Sequence, residues 1–302
     1  EERSLISGFI INKFRGDKML LQPALDEIVE RTGFACAGVI PWFEEAWLLP
    51  SEDAAALQQR VVHKKKNNPI NIIVPRLPRI ANFDDLDPLG AEEDVNVHFI
   101  HPGESIPANA DVVILPGSKS TLNDLKYVRA NGWDIDILAH SRRGGMVVGL
   151  CAGFQMLGRT IADRFGREGV ISGPVPGLGL LDINTEISDT KTLGHVHGIH
   201  RASGTVISGY EMHMGVTQGC GLAQPMLLLD DGRPDGAVSA NGLTMGCYVH
   251  GLFCSDAFRS FFLDQLRQGR LPGEAHEARV DATLDALARH IETNMDLDVL
   301  LN

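Results

Sequence analysis

Met146-Val147-Val148-Gly149-Leu150-Cys151-Ala152-Gly153-Phe154-Gln155 is the stretch on which the fold turns. Residues 146–150 form a near-continuous apolar run, the pattern of a strand buried on both faces of a parallel sheet. The run passes into a small-residue turn with Cys151 at its apex, and a helix is predicted over residues 154–161. This is the logic of a nucleophile elbow: glycines flank the reactive residue because a sharp strand-to-helix turn leaves no room for side chains. Such a turn holds the sulfur above the sheet edge at a helix N-terminus, where the dipole favours thiolate. The N–H of Ala152 would face a developing oxyanion. The competing reading is a small core cysteine in a tight turn.

Working outward, residues 70–74, 94–100 and 111–115 are further apolar runs of strand length. With 146–150 they predict a largely parallel sheet alternating with helices. Upstream, residues 7–11 and 35–40 read as strands around a helix over 20–31, and another helix is expected from Ser51, with Glu52 and Asp53 in its first turn. The polar run His63-Lys64-Lys65-Lys66-Asn67-Asn68-Pro69 is the best linker. Downstream, residues 204–214, 236–240 and 246–250 alternate as β segments, and helices are expected over 256–267 and 275–293.

The chain has 302 residues, a formal net charge of −12, 44% apolar and 22% charged residues. That balance excludes nucleic acid as a partner, because phosphate neutralisation needs clustered cations. The only dense basic run is Lys64-Lys65-Lys66. No apolar stretch reaches the roughly 20 residues that span a bilayer, so no membrane partner is expected. Five cysteines without CxxC spacing indicate neither a disulfide scaffold nor a zinc knuckle. The start Glu1-Glu2-Arg3-Ser4 is no signal peptide and lacks Met, which reads as a cytoplasmic protein and a piece of something longer.

Two further motifs join the elbow. In Leu115-Pro116-Gly117-Ser118-Lys119-Ser120-Thr121 a strand ends in a tight turn. Loops at the carboxyl ends of such strands line the binding crevice, so the N–H groups of Gly117 and Ser118 are candidates to complete an oxyanion hole with Ala152. A phosphate loop is the alternative, but its Gly-x4-Gly-Lys-Ser/Thr spacing occurs nowhere in the chain. In Tyr248-Val249-His250-Gly251-Leu252-Phe253 a histidine ends a predicted strand. A nucleophilic cysteine needs a group that takes its proton and later protonates the leaving amine, and histidine does both near neutral pH. Eleven histidines compete for that role.

These three motifs resemble those of class I glutamine amidotransferases, and more narrowly the cobyric acid synthase and cobyrinate diamide synthase branch. The same branch is suggested by Arg76-Leu77-Pro78-Arg79-Ile80-Ala81-Asn82-Phe83-Asp84-Asp85, by Gly209-Tyr210-Glu211-Met212-His213-Met214-Gly215 and by Ile10-Ile11-Asn12-Lys13-Phe14-Arg15-Gly16-Asp17. The resemblance implies an α/β, flavodoxin-like fold with helices on both faces of a mostly parallel sheet. Residues 1–66 would be the C-terminal remnant of an ATP-dependent, P-loop-type (dethiobiotin synthetase-like) domain, 67–270 the amidotransferase domain and 271–302 a C-terminal helical tail. It implies Cys151 as nucleophile, His250 as base and L-glutamine as ammonia source. The implied acceptor is a corrinoid acid, adenosylcobyrinic acid a,c-diamide. ATP and Mg²⁺ would be used by the synthetase domain of the full-length protein, whose N-terminal part is missing here. No cofactor is expected for this chain itself.

Typical class I members carry Glu two residues after the histidine. Position 252 is Leu, as in this branch, so the group that orients His250 stays unassigned. Glu211 and His213 share a strand face, reading either as a solvated polar face or as support near the site. Gln155 either touches the substrate amide or caps the elbow helix. His195, His197 and His200, read as a loop, lack a compelling ligand spacing, and no metal is expected.

Overall fold

The computed structural model describes residues 5–49, 68–169, 172–271, 273–297 and 299, which fall into two compact units. The helix expected from Ser51 and nearly all of the linker candidate lie outside the described residues.

The first unit combines the beginning of the chain with its end. Strands Gly8–Phe14 and Ala35–Pro41 pair in parallel across a helix, Lys18–Thr32. Asp17 caps that helix by accepting from the Met19 N–H at 2.8 Å, and Gly33 ends it at φ 73°. Only a residue without Cβ adopts that left-handed conformation freely. Residues 271–302, expected as a tail, contribute a helix, His276–Asn294, which belongs to this unit from Glu277 onward. Met295 bridges Gly38, and the Asp296 N–H donates to the Ala37 carbonyl at 2.7 Å.

The second unit is the flavodoxin-like body. Five parallel strands stand in spatial order Val95–Ile100, Ile70–Pro75, Val112–Leu115, Met146–Leu150 and Thr244–Cys247, and Ala237–Val238 closes one edge antiparallel. In chain order this is 2-1-3-4-5, a doubly wound arrangement whose ligands bind at the carboxyl ends of the strands. All five residues of Met146–Leu150 are buried. Helices Thr121–Ala130 and Trp133–Arg142 cross between the third and fourth of these strands.

A second, mainly antiparallel sheet is built around the long hairpin Asn184–His200 and Val206–Gln218. Two expectations are corrected here. The elbow helix spans Ala152–Leu157 rather than reaching residue 161: Gly158 is extended, and Thr160–Asp163 is a strand between Ser172–Pro176 and Asn184–His200. His195, His197 and His200 lie on that long strand, not in a loop. Burial alternates along residues 196–200, with Val196 and His200 inside and His197 outside.

Candidate active site

At the elbow Cys151 has φ 52° and ψ −107°, a conformation that side chains seldom adopt and that strained functional turns retain. Its flanks explain the two glycines. A Cβ on Gly149 would lie 2.6 Å from the Gly153 carbonyl carbon, and one on Gly153 would lie 2.0 Å from the Leu115 oxygen. The Cys151 N–H is fixed by the Cys247 carbonyl at 2.8 Å, and its thiol donates to the Met212 carbonyl at 3.5 Å. The helix that opens at Ala152 leaves its first N–H groups without intrahelical acceptors.

His250 ends a short strand, Val249–His250, on the edge of the second sheet. It is buried, and its Nδ1 is 2.7 Å from Asp85 Oδ2. The other oxygen of Asp85 accepts the Gly251 N–H at 2.6 Å, so one carboxylate holds both the ring and its backbone. With the acid on Nδ1, Nε2 is the nitrogen left to meet Cys151. Burial by itself lowers the imidazole pKa. The charge and hydrogen bond of Asp85, joined by a hydrogen bond with Cys151, outweigh burial and push it up to about 10. Tyr210 stacks on the ring at 5.3 Å between centroids.

Asp85 is the group that sequence reasoning left unassigned. It sits in a single 3₁₀ turn, Phe83–Leu86, entered through Asn82 in the left-handed region at φ 51°. The signal available was its place in the family-like segment 76–85.

Cys151, Ala152, Gly117, Ser118, Gln155, His213 and His250 all line one cavity of about 240 Å³. Gly117–Ser118 form a short antiparallel ladder with Ile80–Ala81, and a Cβ on Gly117 would stand 3.0 Å from the His250 ring. The Ser118 hydroxyl is committed to Asp124 at 2.6 Å. Gln155 is no helix cap: its amide accepts from the Thr121 hydroxyl at 2.8 Å and donates to the Tyr248 hydroxyl at 3.2 Å. His213 stacks on Tyr248 at 3.8 Å, and burial pushes its pKa down. Glu211 lies behind it, buried outside the cavity, 3.7 Å from His213 Nε2 and paired with Arg233 at 2.9 Å. Among the described residues no group of three or more His, Cys, Asp or Glu could hold a metal ion. No described helix is long and apolar enough to cross a membrane.

A doubly wound domain whose cysteine elbow faces a histidine is the glutaminase type of architecture, and the comparisons specify it. The chain belongs to the CobB/CobQ-like glutamine amidotransferase domain family, whose profile matches residues 71–258. The cobyric acid synthase of Methylobacterium nodulans is 50% identical over 301 residues, covering 100% of this chain and 61% of its own length. That of Methylocella silvestris is 51% identical over 301 residues, covering 100% of this chain and 62% of its own. The chain thus spans about three-fifths of the relatives it matches.

Proposed function

We propose that the second unit hydrolyses L-glutamine and supplies ammonia to an ATP- and Mg²⁺-dependent synthetase domain of the full-length protein. The observation that carries this reading is the union, in one cavity, of the strained Cys151 with a histidine held by a buried carboxylate.

Cys151 Sγ attacks the side-chain carbonyl carbon of glutamine, and its proton resides on His250 Nε2. The charge that develops on the amide oxygen rests on the Ala152 N–H, with the backbone of Gly117 and Ser118 closing the opposite side. His250 hands its proton to the amide nitrogen and ammonia leaves. Water, deprotonated by His250, then cleaves the γ-glutamyl thioester to glutamate and restores the thiol. Asp85 keeps the ring in the tautomer that presents Nε2 and stabilises the imidazolium between these steps. Gln155, which lines the cavity, ties the elbow helix to Thr121 and Tyr248 and presents its side-chain amide to the substrate.

The acceptor in this reading is a corrinoid acid, adenosylcobyrinic acid a,c-diamide, amidated to cobyric acid. Its support is the identity to the two cobyric acid synthases over the whole chain. The test is Cys151→Ala in the intact protein. Glutamine-dependent amidation and glutamate release should vanish while synthesis from ammonium salts survives. Glutamate release near the wild-type rate would overturn the nucleophile.

A further inference from the structure

One corner of the chain sets the gap between nucleophile and base. The strand Thr244–Cys247 of the parallel sheet ends there, and Val249–His250 of the second sheet begins. Just before the corner, the Cys247 carbonyl fixes the Cys151 N–H at 2.8 Å. Just after it stands His250. Between them the Tyr248 hydroxyl accepts from the Gln155 amide at 3.2 Å, and the His213 ring stacks on Tyr248. The side chain that fastens this corner is Asp235, whose Oδ2 accepts the Tyr248 N–H at 3.0 Å. Asp235 is buried and lines no part of the cavity. Its backbone pairs with Leu227, and the next residue, Gly236, is left-handed at φ 74°. A Cβ on Gly236 would lie 2.2 Å from the Gly246 carbonyl oxygen, so the acid stands on backbone packed directly against the strand that it steadies.

A buried carboxylate is costly unless a cation or hydrogen bonds compensate it. Among the described residues no ion pair serves Asp235; Arg233, two positions earlier, is engaged by Glu211 and Asp231. The N–H groups of Tyr248, Gly236 and Val249 favour its charged form, and two of the three belong to the corner. Burial wins, and with the charge of Glu211 on the strand Val206–Gln218 it raises the acid from 3.8 to about 6. The other groups that face it are apolar or neutral. Leu227–Leu229 is a strand of leucines, and burial pushes up both the Cys247 thiol and the Tyr248 phenol. A proton on Asp235 sets an O–H among N–H donors and weakens the bonds that hold the corner.

We infer that Asp235 is a positioning residue of the glutaminase, whose carboxylate holds the corner that brings His250 to the elbow and whose protonation releases that corner and slows hydrolysis. This rests on the glutaminase reading above and goes beyond it, since Asp235 touches neither the substrate nor the reacting atoms.

Glutamate release by the intact protein is measured against pH at saturating and at low glutamine. Wild-type kcat should decline as pH falls through about 6 and stand about tenfold below its plateau near about pH 5, the fall that one proton produces. A carboxyl ionises with little heat, whereas an imidazole or a thiol ionises with much. The limb should therefore keep its position on warming, and a limb that moves down would belong to His213 or Cys151 and overturn the inference. In Asp235→Asn the limb should vanish, with kcat about tenfold lower throughout and KM for glutamine within about twofold of wild type. A limb that persists in this variant, or a kcat equal to the wild-type plateau, overturns the inference. Should the Asn protein fail to fold, Glu211→Gln carries the test: removing that charge should shift the limb to lower pH, and a limb that stays or disappears overturns the inference. Wild-type hydrolysis without any limb near 6 sinks the role of Asp235 alone. No glutamate at any pH would overturn the glutaminase reading and this inference together.

Discussion

Asp85 shows how a single side chain sets the chemistry of another 165 positions away. Its carboxylate works against burial to raise the folded-state pKa of His250 from 6.5 to about 10. Such a shift contributes stability that is complete below pH 6.5 and is lost as pH rises towards 10. Asp85→Asn keeps the shape and removes the charge. The imidazole should then titrate well below 10, and denaturation midpoints should lose their decline across that window. Glutamine hydrolysis should fall by roughly 10²–10⁴, the worth of a general acid–base group. Histidine NMR titration together with the pH–rate profile reads both effects. An unmoved His250 pKa in the variant would remove Asp85 from the machinery. Cys151 and His250 were legible because each stands in a local pattern, glycines around one and a strand end before the other. Asp85 was not, because one short turn delivers it and only its place in the family-like segment 76–85 separates it from the other 38 acidic residues.

At the scale of elements, apolar runs announced the four strands of the parallel sheet that precede the elbow turn, and in Val112–Leu115 and Met146–Leu150 every residue is buried, which leaves no room for polar alternation. The elbow helix was misjudged because its apolar residues continue past Leu157 into Ile161 and Ala162, which are buried in a strand instead. Apolar runs this short do not distinguish a helix end from a strand start. The strand Asn184–His200 escaped notice for the opposite reason. Its middle, residues 189–195, is solvent-facing or half-buried and rich in polar side chains, so the periodicity fails there although pairing to Val206–Gln218 includes Thr192 to His195 and shifts register only between Ile187 and Thr192. The elbow itself depends on contact between backbones. A methyl group on Gly153 would meet the Leu115 carbonyl, which no rotamer change can move. Gly153→Ala should cost about 3 kcal/mol, the upper part of the range for overpacking. Gly194→Ala, with no atom within 4 Å of its added Cβ, should stay within about 0.5 kcal/mol of wild type. Urea denaturation of the two variants decides the point, and equal midpoints would show that the elbow has slack.

Over the whole molecule, the site draws every one of its residues from the second unit, while the first is assembled from both ends of the chain. Two parallel strands and one connecting helix make a small core, and in that unit only Leu25, Ala37 and Ile40 are buried apolar residues among those described. A unit so thin needs the last helix. Ending the chain at His276 removes the bridge from Met295 to Gly38. It also removes the bond from the Asp296 N–H to Ala37 and that from His290 Nε2 to the Pro41 carbonyl at 3.0 Å. The truncated protein should therefore lose protease resistance over residues 5–49. The second unit keeps its sheets, its Asp85–His250 pair and its elbow, so its thermal transition and the alkylation rate of Cys151 should remain within about twofold of those of the full chain. Proteolysis mapped by mass spectrometry, run beside thiol labelling, separates the outcomes. Continued protection of residues 5–49 would mean that the last helix is dispensable to the first unit. A collapse of Cys151 reactivity would mean that the glutaminase body draws its order from a segment that contributes no residue to its site.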